Sequence, residues 1–163
     1  MSATPEIIER SAQPFVAIGA EVTMGQLPGL ADRLGEVFGW LAERGLTPAG
    51  PPFFRYQIID MERQLRVQAG VPVPAAVSGY DRVTAGVLPA GRYATATHVG
   101  PYDGLIEANS DLLQWAKEQG LEWDCLDAED GEHWGCRLEI YLTDPAQEPD
   151  PAKWATQLAF LLK

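Results

Sequence analysis

Two hydrophobic periods take turns along this chain. Stretches that alternate every second residue read as strands with one apolar face, and stretches with apolar residues three and four apart read as helices. An alternating stretch at about Phe15 to Val22 ends at a glycine turn. A helical pattern follows, with Leu30, Leu34, Val37, Phe38 and Leu41 on one stripe. The same succession returns later. A strand at about Arg92 to Val99 leads through glycines to Leu105, Leu112, Leu113 and Ala116 at helical spacing, beside Ile106 and Trp115. Gly45 and Gly120 stand where a left-handed cap residue stops a helix. Two strand patterns follow each helix: "PPFFRYQII" and "QLRVQAGVPV" after the first, "WGCRLEIYLTD" and "TQLAFLL" after the second. "RVTAGVLPA" either extends the second opening strand or begins the crossover to it.

The two successions align at an offset of 75. Glu21–Leu46 laid on Ala96–Leu121 matches Gly25 with Gly100, Gly29 with Gly104, Leu30 with Leu105 and Trp40 with Trp115. It also matches Glu43 with Glu118, Gly45 with Gly120 and Leu46 with Leu121. The pattern predicts an α+β fold of duplicated strand–helix–strand–strand modules, about 6–74 and 83–163, joined by a link at about 75–82, in a single domain spanning 1–163. Such modules would bury their helices on one side of their sheets. Their other faces would meet or flank a central pseudo-twofold cleft suited to a small ligand.

Charge narrows the partners. The 163 residues carry 23 acidic and 12 basic side chains, a net charge of −11. Arg55, Arg63 and Arg66 form the densest basic stretch, and Asp60 and Glu62 interrupt it. That argues against direct nucleic-acid binding and favours attraction of cations. No apolar run approaches the roughly 20 residues of a membrane helix. The charged start "MSATPEIIERSAQP" lacks the apolar stretch of a signal peptide. A cytoplasmic protein is expected. Cys125, Cys136, His98 and His133 make no zinc pattern, so neither a metal nor a cofactor is expected.

The stretch "LPAGRYATATHVGPYDGLIEANSDLLQWAKEQGL" followed by "LEIYLTDP" resembles the GyrI-like small-molecule-binding family. "GPPFFRYQI" and "VQAGVPV" are similar to the family's first half, so the resemblance covers about Glu6 to Lys163. It implies a duplicated α+β fold with a central cleft, and binding of hydrophobic, often cationic or aromatic molecules. A buried glutamate meets the positive charge in some members. Other members resemble hydrolases of strained cyclopropane rings, and others inhibit DNA gyrase. The chain starts almost at its first strand, so a stand-alone member without a helix-turn-helix is expected.

Glu139 is the leading candidate. It has the opposite parity to Leu138, Ile140 and Leu142, which are assigned to the helix-packed face, so it would point into the cleft. There it would pair with a cationic ligand or act as a general acid or base. Tyr141 shares its face, and Tyr56 is a counterpart in the first half. Phe54, Trp134, Tyr102 and Trp123 are candidate aromatic walls, with Trp134 on the core face unless a bulge at Gly135 re-aims it. If the protein is an enzyme, Glu139 and Tyr141 are its catalytic pair. His98 and Trp154 are read as structural. The acidic stretch Glu122 to Glu132 reads as a solvated loop. Three functions follow: multidrug binding or sequestration, non-covalent hydrolysis, and contact with gyrase through an acidic surface.

Overall fold

A computed structural model of the chain describes residues 4–60 and 62–163. Its strands are β1 (Glu6–Arg10), β2 (Gln13–Val22), β3 (Phe53–Ile59), β4 (Leu65–Pro72), β5 (Thr84–Leu88), β6 (Gly91–Val99), β7 (Cys125–Ala128), β8 (Gly131–Trp134), β9 (Arg137–Tyr141) and β10 (Ala155–Leu161). Two helices, α1 (Ala31–Glu43) and α2 (Leu105–Glu118), each follow a short 3-10 segment. The sheet runs β1-β6-β10-β9-β3-β4-β2-β5, and the β7–β8 hairpin joins it through β3. All its pairings among the described residues are antiparallel.

The helix stops lie where the glycines predict. Gly45 and Gly120 have φ of +66° and +69°. Leu46 donates to the carbonyl of Leu41, and Leu121 to that of Ala116. These six-to-one bonds with a left-handed glycine are Schellman caps. The segment Thr84–Leu88 pairs with β2, so it does not extend β6. Glu122 to Glu132 is not a loop. It enters the β7–β8 hairpin, with Leu126 opposite His133 and Asp127 opposite Glu132. Its polar composition hid strands whose one face is open to water.

The sheet curls on itself, and this changes which face holds the helices. Phe15, Phe53, Tyr93, Leu138, Ile140 and Leu161 form one apolar core to which neither helix contributes. The helices cover the opposite face. There α2 packs on Ala94, Ala96, Leu158 and Phe160, and α1 on Val16, Ile18 and Val71. Leu138 and Ile140 therefore face the curled interior, contrary to their expected place under the helices. Glu139 points to the helix side. Alternation sets the parity of a strand, but curvature decides which face closes on itself.

Leu142 lies beyond the end of β9 and is 48% exposed, whereas Leu138 is 1% exposed. Leu138→Ala is expected to destabilise the protein by about 2–5 kcal/mol, and Leu142→Ala by less than about 0.5 kcal/mol. Urea unfolding of the two variants measures the difference.

Candidate functional site

Glu139 occupies the middle of β9. Its neighbours across the sheet are Phe54 on β3 and Leu158 on β10. It is 7% exposed, and among the described residues it is the only charged side chain so deeply buried. A carboxylate withdrawn from water needs donors, and three supply them. Tyr56 donates its hydroxyl to Oε1 at 2.8 Å, and Tyr141 donates to the same oxygen at 3.0 Å. Asn109 of α2 donates Nδ2 to Oε2 at 3.2 Å and to the carbonyl of Leu105 at 2.8 Å. A register shift between Tyr56 and Ile58 marks a bulge in β3 just beyond the Tyr56 position.

Both phenols are held well above their ordinary value. Burial is the main cause, and the adjacent carboxylate adds to it by disfavouring a second negative charge. Tyr56 and Tyr141 therefore remain donors to Glu139 at neutral pH.

The aromatic candidates fall into two groups on this face. Phe54 meets Tyr141 edge-on at 5.2 Å, Tyr141 meets Tyr102 at 5.7 Å, and Tyr102 lies against Trp154 at 4.8 Å. This file of rings runs from the buried carboxylate to Tyr102, which is 37% exposed. Trp154 thus belongs to the ring file as well as bonding the carbonyl of Glu148. The second group is Trp123, Trp134 and Phe160, with ring centroids 5.6–5.7 Å apart. Trp134 clusters with α2 residues, while Cys136 and Leu138 lie in the curled interior. The change of face falls at Gly135, which donates its N–H to the carbonyl of Asp124; a side chain there would have to push the Asp124 carboxylate aside.

Two polar residues of the site were absent from the sequence reading. Arg137 lies two residues before Glu139 on the same face of β9, and Nη2 donates to Asn109 Oδ1 at 3.0 Å. Asn109 bridges guanidinium and carboxylate. Both left a trace in the sequence. Arg137 shares the parity of Glu139, and Asn109 interrupts the apolar stripe four residues after Leu105. Burial pulls the Arg137 guanidinium below its ordinary value, while Glu132 and then Glu139 oppose that shift.

His98 makes a structural contact, Nε2 with the carbonyl of Pro101 at 3.0 Å. A side chain at Gly104 would collide with its ring, so a glycine is required there. Cys125 and Cys136 are free thiols, and burial pushes Cys125 up to about 11. Among the described residues, no three His, Cys, Asp or Glu are placed to share a metal ion, and no helix is long and apolar enough to cross a membrane.

A curled antiparallel sheet with two helices over one face makes an α+β domain, and it buries a carboxylate among aromatic rings there. The chain belongs to the GyrI-like small molecule binding domain family, whose model matches residues 3–163. No curated protein matches it. Among solved structures it is similar to the EcmrR C-terminal domain, with a TM-score of 0.78, 21% identity, and 98% of this chain and 97% of that one covered. It spans 57% of the EcmrR chain in an EcmrR–DNA complex, again with a TM-score of 0.78, 21% identity and 98% of its own length covered. It is also similar to SAV2435 bound to tetraphenylphosphonium, with a TM-score of 0.67, 10% identity, and 99% and 94% covered. A hydrolase from Listeria innocua aligns with a TM-score of 0.65, 17% identity, and 98% and 91% covered.

The phenols also set an alkaline limit. Both hold their protons more tightly in the fold than in the unfolded chain, where the value is 10.0. Above about pH 10 the unfolded chain binds fewer protons than the fold, so stability falls as pH rises. Melting temperatures taken from about pH 8 to 11 should drop less steeply in Tyr56→Phe and Tyr141→Phe than in the parent.

Proposed function

We propose that this protein binds lipophilic aromatic cations on the helix-covered face of its sheet, with Glu139 as the counter-charge. The observation that carries this reading is a carboxylate withdrawn from water at the sheet centre and flanked by aromatic rings. In such surroundings one charge contact is worth far more than in water. Phe54, Tyr56, Tyr141 and Tyr102 supply flat surfaces that tolerate varied shapes, and Trp123 and Trp134 widen the aromatic wall. Multidrug binding or sequestration in the cytoplasm is the corresponding role. The tetraphenylphosphonium held by SAV2435 is a cation of the right class. A ligand would enter by parting Tyr102 from Trp154, the exposed end of the ring file.

The site would then sit between duplicated halves, 6–74 and 83–163. The sheet order supports this, because β6-β10-β9 in one half mirrors β2-β4-β3 in the other, outward from the shared β9–β3 seam. Each half adds an edge strand to the other: β1 lies beside β6 and β5 beside β2.

A second reading, hydrolysis of a strained cyclopropane ring, is favoured by one arrangement. Glu139 could deprotonate water while a protonated tyrosine delivers a proton to the leaving atom. The two hydroxyls on one carboxylate oxygen are the observation behind it.

Titration with tetraphenylphosphonium, followed by tryptophan fluorescence, tests the first reading. Glu139→Gln should weaken binding by at least about tenfold, or about 1.4 kcal/mol. Equal affinity of the two proteins would remove Glu139 from the site. A parallel assay with a cyclopropane electrophile should show no turnover; turnover lost in Glu139→Gln would establish the hydrolase.

A further inference from the structure

The site already contains a cation. The Arg137 guanidinium lies over the rings of Trp134 and Phe160, 4.6 Å and 4.3 Å from their centroids. Contacts of that kind are the ones an aromatic cage offers to a cationic ligand. Asn109 ties the same guanidinium to Glu139. Among the described residues it makes a single hydrogen bond and no contact ion pair, although a guanidinium carries five donors. A group held this loosely by polar contacts can be exchanged.

We infer that Arg137 is an internal competitor of cationic ligands, holding the Trp134 and Phe160 rings and offsetting Glu139, and so sets the charge selectivity of the site. This rests on the ligand reading given above. Two cations near each other in a water-poor site repel strongly, so a ligand cation gains its place only when the guanidinium leaves. A destination exists. Arg137 opens onto a cleft of about 440 Å³ between the end of α2 and the β7–β8 hairpin, whose lining includes the exposed carboxylates of Glu122, Asp127 and Glu132. Those carboxylates would receive the displaced guanidinium. Neutral aromatic ligands of the same shape meet no such opposition. The measured affinity for a cation is its intrinsic affinity reduced by the fraction of time Arg137 is away.

Arg137→Met keeps an unbranched, flexible stem and removes the charge, whereas Arg137→Lys keeps the charge. The probes are tetraphenylphosphonium and neutral triphenylphosphine oxide. Arg137→Met should bind the cation about tenfold more tightly than the parent, with the neutral compound changed less than about threefold. Arg137→Lys should retain the parent's weaker cation binding. Adding Glu139→Gln to Arg137→Met should abolish the gain. Arg137→Gln serves the same test if Arg137→Met does not fold. Cation affinity unchanged or lower in a folded, uncharged variant would overturn the inference. If Glu139→Gln alone still weakens the cation in that case, the ligand reading stands and only the role of Arg137 falls. If no variant binds either probe, both fall.

Discussion

A carboxylate buried in the middle of a sheet has to be solvated by the protein itself, and Glu139 imposes that demand on much of this fold. Its donors come from three elements: Tyr56 from β3, Tyr141 from its own strand and Asn109 from α2. The two tyrosines lie on the adjoining strands β3 and β9, at the middle of the sheet order. A buried charge with good donors is tolerated but adds little net stability. The chain keeps one in a place where leucine would pack, the kind of local conflict expected at functional sites.

The two faces of the curled sheet bury different chemistry. Its closed face is filled by Phe15, Phe53, Tyr93, Leu138 and Leu161, and further apolar clusters lie under the helices, so both faces contribute hydrophobic stabilisation. The helix-covered face carries the polar network, the ring file and the guanidinium on its aromatic pair. The Schellman caps at Gly45 and Gly120 end the two covering helices at corresponding places. The fold itself is shared with solved structures of low identity.

Most elements were legible in the sequence because their signals are local. The strand and helix periods, the glycine stops and the parity of Glu139 against Leu138 and Ile140 all come from neighbours in the chain. The missing information was long-range. Which face of β9 meets the helices depends on a curvature that no single strand encodes, so Leu138 and Ile140 were assigned to the wrong side. Arg137 and Asn109 gain meaning only together, 28 residues apart and joined by one hydrogen bond. The β7–β8 hairpin was hidden by its charge, since Asp127, Glu129, Asp130 and Glu132 suit a solvated strand edge as well as a loop.

In the proposed function, ligands bind on the helix side of the sheet, against Glu139. A crystal structure of the protein with tetraphenylphosphonium tests it most directly. The phosphonium centre should lie beside the Glu139 carboxylate, with phenyl rings against Tyr141 and Tyr102 and the Tyr102–Trp154 contact opened. A ligand bound elsewhere, with the Tyr56–Glu139–Tyr141 hydrogen bonds intact and no ring displaced, would contradict it.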